Sequence, residues 1–247
     1  MDILNSKKIK LTIHDLLTNP LGKNSAYGFS RNKIRDDLKI RFHQLIYWTH
    51  KFDYKVYKLN ESYFFHFKIP SEKFRKDESF RYDVVLEFYP DDKESLKDKN
   101  ITNYYLRVFS NSPAFMFTYT YVCYHNDMIP KQLLPLCSKI ALKEAPSERN
   151  PSETYGYEKS IYFACLYIME TELYKKFKID KELYEFDKNV FLKEVMTQEK
   201  KLDEYNQKKG YIKKEKIKKK VNLIQKYHNQ VNKNKKKKTI KKKTKRK

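Results

Sequence analysis

The spacing of hydrophobic positions changes along this chain, and each change marks an element. Near the start, Leu11, Ile13, Leu16 and Leu17 form an apolar patch closed by Asn19-Pro20 and Gly22, the pattern of one or two helical turns followed by a loop. Ser30 is placed to cap a helix over residues 31–50, where Ile34, Leu38, Phe42, Leu45 and Thr49 recur on one face. The opposite face carries Arg31, Lys33, Arg35, Lys39 and Arg41, offset in part by Asp36 and Asp37, and reads as a solvated surface.

From Tyr54 the period shortens to two. Residues 54–59 and 63–69 flank Asn60-Glu61, a two-residue hairpin turn without the preferred glycine. Residues 81–89 alternate Tyr82, Val84, Leu86 and Phe88 with Asp83, Val85, Glu87 and Tyr89, which predicts a strand with one face buried. Residues 103–109 predict another. Residues 114–124 are assigned a strand as well, with Phe115, Phe117, Tyr119, Tyr121 and Cys123 on one face, joined to its predecessor through Ser110-Asn-Ser-Pro113. Connections this short favour an antiparallel sheet of about five strands, because parallel neighbours need crossovers of a dozen residues or more.

Helical spacing then returns. Residues 129–142 form a short helical stretch interrupted by Pro130 and Pro135, and residues 143–156 a polar connection. Residues 157–176 are the clearest helix: Ile161, Cys165 and Ile168 make one stripe and Tyr162, Leu166, Met169 and Leu173 an adjacent one, wide enough to lie across the sheet in the core. Val190, Phe191, Val195, Leu202 and Tyr205 allow one more helix. Ile217, Val221, Ile224 and Val231 keep helical intervals among lysines, and the final residues hold too little apolar surface to fold alone. The expected architecture is α+β: a globular body over residues 1–180, a helical extension over 181–231 that is basic from about residue 208, and a disordered polylysine tail over 232–247.

Charge sharpens this division. Residues 208–247 contain 19 lysines and Arg246 against a single acid, Glu215, a net +19 of the chain's +23. The preceding residues hold 34 basic and 30 acidic side chains and are close to neutral. Lysine supplies 46 of the 54 basic residues, a bias that points to AT-rich coding sequence. Scattered lysines are therefore weak signals, and the clustering in the tail is the strong one.

Clustered lysines neutralise phosphates and release counterions, giving binding that is indifferent to base sequence and steeply salt-dependent. Lysine acts here as a point charge rather than as a bidentate reader of bases. The candidate contacts are Lys213, Lys214, Lys216, Lys218, Lys219 and Lys220 in the amphipathic stretch. Beyond it they are Lys233, Lys235, Lys236, Lys237, Lys238, Lys241, Lys242, Lys243, Lys245, Arg246 and Lys247. In a eukaryotic cell the terminal run would read as a nuclear or nucleolar address. The apolar stripe of the amphipathic stretch lacks Trp and Phe, which argues against a membrane partner.

Catalytic signatures are missing from the pattern. Four glycines leave no phosphate-cradling loop of the Walker or Rossmann type. His14, His43, His50, His66, His125 and His228 have no spacing suited to a metal, and Cys123, Cys137 and Cys165 read as reduced core residues. No cofactor and no metal are expected. Asp83 and Glu87 share a strand face, but a metal-dependent nuclease wants an Asp and then a Glu-x-Lys on adjoining strands, and the following strand offers Arg107 instead. A cross-strand ion pair on an outer face is the simpler reading. The N-terminus lacks the apolar run of a signal peptide, and the longest apolar runs fall short of the ~20 residues that span a bilayer.

Four segments carry a resemblance: Tyr82-Asp-Val-Val-Leu-Glu-Phe88, the run from Val108 to Tyr121, Arg149-Asn-Pro151, and Gly156-Tyr-Glu-Lys-Ser-Ile-Tyr-Phe-Ala164. Together they resemble uncharacterised proteins of bacteriophages that infect low-GC Gram-positive bacteria, over about a third of the chain and none of the tail. The resemblance implies a phage setting, in the host cytoplasm or in the virion, and carries over no catalytic or binding residue. The leading expectation is a non-enzymatic protein whose tail binds DNA or RNA and whose body docks on a protein partner. A structural virion component with its tail on packaged genome is the alternative, and a metal-dependent nuclease the third.

Overall fold

The computed structural model describes residues 9–18, 31–71, 81–91, 100–146, 158–176 and 183–195. By internal contacts the chain divides into a unit over Met1–Glu199 and one over Lys200–Lys247, and the second lies wholly outside the described residues.

The first apolar patch forms α1 (Ile13–Thr18). Thr12 and Asp15 cap it reciprocally: the Thr12 amide donates to Asp15 Oδ2 at 2.8 Å and the Asp15 amide to Thr12 Oγ1 at 3.3 Å. Helix α2 (Arg31–Thr49) follows, burying Leu38, Phe42 and Leu45 as their spacing predicts. The period-two region then folds into β1 (Asp53–Leu59), β2 (Ser62–Pro70) and β3 (Arg81–Tyr89), and the chain continues through a 3-10 turn at Ile101–Asn103 into β4 (Tyr105–Ser110). Leu59 pairs with Ser62 across the hairpin, and Asn60 supplies the left-handed turn residue at φ 50°. Asparagine tolerates that conformation better than most residues, so the turn forms without glycine.

Residues 114–124 do not form a strand, contrary to their alternation. Ser112 Oγ accepts the Phe115 amide hydrogen bond at 3.1 Å and Pro113 occupies the first helical position, so helix α3 (Pro113–Thr118) starts there. Helix α4 (Thr120–His125) follows after a break at Tyr119. Phe115, Met116, Val122 and Cys123 are buried while Phe117 is exposed, a helical and not a two-residue pattern.

After a 3-10 segment at Lys131–Leu136 and α5 (Lys139–Lys143), the long apolar stretch forms α6 (Lys159–Glu170), buried without interruption from Ser160 to Ile168. It ends where Glu172 turns left-handed at φ 52°, and α7 (Leu173–Lys176) is separate.

The sheet's fifth strand is β5 (Leu183–Glu185), which runs parallel to β1. Strand order is β4-β3-β2-β1-β5, mixed rather than antiparallel, with the intervening helices supplying the crossover that parallel pairing needs. Helix α8 (residues 188–195) follows at once, capped by Asp187, whose Oδ1 accepts from the amides of Asn189 and Val190. Phe191 and Val195 are buried, so the segment predicted as an extension from residue 181 belongs to the body as far as Val195. The amphipathic stretch and the tail predicted beyond it lie outside the described residues.

Both faces of the sheet are covered. Val56, Phe65, Phe67, Val84, Leu86 and Val108 share one face by register, against which Tyr167 of α6 packs edge to face on Phe67. Tyr57, Phe64, Val85 and Phe109 share the other, where Phe186 and Phe191 pack on Phe64 and Phe115 packs on Phe109. Strand β3, between β2 and β4, is accordingly buried on both faces, although alternation alone assigns one of them to solvent.

Candidate polar site beneath the C-terminal helix

One face of the sheet carries His66, Asp83 and Glu87, three of the four buried His, Asp and Glu side chains among the described residues. Alternation on β1, β2, β3 and β4 points Lys55, Tyr57, His66, Asp83, Glu87 and Arg107 to this side, and α8 lowers Glu194 onto them. Lys55 Nζ donates to Glu194 Oε1 at 2.6 Å and the Tyr57 hydroxyl to Glu194 Oε2 at 2.8 Å. His66 Nδ1 lies 3.8 Å from the same carboxylate, and its Nε2 shares a 2.6 Å hydrogen bond with Asp83 Oδ1. Asn111 closes the chain, donating through Nδ2 to Asp83 Oδ2 at 2.9 Å and accepting the Asp83 amide at 2.9 Å.

Burial sets the electrostatics. It pushes the Asp83 carboxyl above the usual carboxylate range, against the opposing pull of His66, Lys68 and Asn111. Tyr57 is pushed up by burial and by the Glu194 carboxylate that its hydroxyl contacts. For the more accessible Glu194 burial also raises the pKa, but the bonds from Lys55 and Tyr57 outweigh it and the group ionises more readily than usual. His66 thus stands between two acids of opposite tendency, burial raising the pKa of Asp83 and the bonds from Lys55 and Tyr57 lowering that of Glu194. The arrangement can hold a proton and tie α8 to three strands. Its centre is closed: His66 and Asp83 are almost wholly shielded from solvent.

Glu87 and Arg107 face each other across β3 and β4, with Arg107 Nη1 3.4 Å from Glu87 Oε2. The cross-strand pair expected from sequence is present, but with Glu87 buried and Arg107 half-buried it is not on an open outer face. Arg107 also donates to Asp127 Oδ2 at 2.9 Å and to the Asp127 carbonyl at 3.0 Å, and its guanidinium lies 4.0 Å over the Tyr89 ring. Burial raises Glu87 despite Arg107; for Arg107 burial opposes the charge, but Glu87 and Asp127 hold it in place. Of the two acids that could have paired with Arg107, Asp83 does not: it is bonded to His66 and Asn111 instead. The two acids therefore serve separate clusters.

A third buried group joins Ser110, Ser112, Glu158 and Ser160. Ser160 Oγ donates to the Glu158 carboxylate and lies 3.4 Å from Ser110 Oγ, which accepts the Ser112 amide at 3.1 Å. Burial pushes Glu158 above the usual carboxylate range. Cys123, Cys137 and Cys165 are free and buried, the Cys123 thiol pushed up to about 12 by burial.

The basic residues from Lys213 to Lys247 that the sequence singles out lie outside the described residues. His66, Asn111 and Glu194 went unassigned in the sequence pattern. The signal that marks them is local: His66 interrupts Phe64, Phe65 and Phe67 on a strand, where an isolated polar side chain requires a partner. Among the described residues no group of three His, Cys, Asp or Glu side chains is arranged for a metal ion, and no helix is long and apolar enough to cross a membrane. Comparison with protein-family models, curated proteins and solved structures finds no match to this chain.

Proposed function

We propose that the chain binds nucleic acid without sequence specificity through residues 208–247 and that residues 1–199 serve as the carrier of that segment. The observation that carries this reading is charge segregation: 20 cations against one acid in the last forty residues, beside a body whose charges nearly cancel. In the described body, cations stand on acids: Lys10 on Asp91, Lys55 on Glu194, Arg81 on Asp53, Arg107 on Glu87 and Asp127. Binding rather than catalysis is favoured by the same pairing, since the shielded His66, Asp83 and Glu87 are each engaged with another side chain.

The test is a salt series of duplex binding with the full chain and with a chain ending at Gln207. Engagement of six to ten phosphates makes affinity fall by about 10³- to 10⁵-fold between 50 and 200 mM salt. The shortened chain is expected to lose binding at every salt concentration. Equal binding by the two chains, or affinity that barely responds to salt, refutes the reading.

A further inference from the structure

We draw no further inference here: the strongest candidate, the exposed apolar patch of Ile40, Tyr47 and Trp48 on the outer face of α2, carries nothing because nothing in the structure shows what covers it.

Discussion

Glu158 enters α6 with its carboxyl buried beside Ser160 and with Ser110 and Ser112 close by, and hydroxyls solvate an anion less well than water does. Its folded pKa is raised, so between the unfolded and folded values the native state holds the proton that the unfolded state has released. Stability from this group is complete below the unfolded value, near 4.3, and is lost as pH rises through the folded one. Asp83 and Glu87 act in the same direction and Glu194 in the opposite one, so the whole-protein profile is a mixture. Comparison with Glu158→Gln isolates one group: urea unfolding from pH 4 to 8 should show a decline in the parent that the variant lacks, about 1.4 kcal/mol for each unit of raised pKa. Superimposable pH profiles would remove Glu158 from the account. Alternation places Asp83 and Glu87 on one side of β3 correctly, but it assigns that side to solvent because the groups that cover the sheet there come from later in the chain: Asn111 on Asp83, Phe115 on Phe109, Asp127 on Arg107, and α8 on Phe64 and His66. Burial of a strand's second face is a tertiary fact, and only the successive apolar residues Phe64-Phe65 in β2 and Val84-Val85-Leu86 in β3 hint at it.

At the level of elements, period and cap compete. The hairpin, β3, β4, α2 and α6 follow their hydrophobic spacing closely, whereas residues 114–124 satisfy a strand pattern and fold as helices. Aromatic and β-branched composition favours the strand, yet Ser112 and Pro113 supply a helix start whose Phe115 amide is satisfied locally. Strand β5 was illegible for another reason: three residues paired to a distant edge carry too short a period to detect. Its consequence is testable by truncation. A chain ending at Glu182 loses β5, the Glu194 bonds to Lys55 and Tyr57, and the buried Phe191 and Val195; truncating a buried phenylalanine alone costs about 3 to 5 kcal/mol. It is expected to lose cooperative urea unfolding and elute as aggregate, whereas a chain ending at Gln207 keeps the parent's transition. Equal behaviour of the two chains would show that the body ends before β5.

Across the whole molecule, the sequence speaks through charge where it does not speak through pattern. A nearly neutral body adds little to the long-range field, so any attraction to a polyanion is set by the terminal lysines, and their number should be readable from salt dependence. Each lysine that neutralises a duplex phosphate contributes about 0.9 to the slope of log affinity against log salt. Replacing Lys235, Lys236, Lys237 and Lys238 by Gln in the full chain should therefore reduce that slope by about 3 to 4 if all of them engage phosphates. Replacing the same residues by Arg should leave it unchanged, because counterion release counts charges and ignores side-chain geometry. A partner protein with carboxylates would not obey this arithmetic: it lacks the duplex's dense counterion layer, and its affinity would depend on where each lysine met its acid. A slope that responds to Arg substitution, or that ignores Gln substitution, would thus move the partner from nucleic acid to acidic protein while leaving the fold of residues 1–199 untouched.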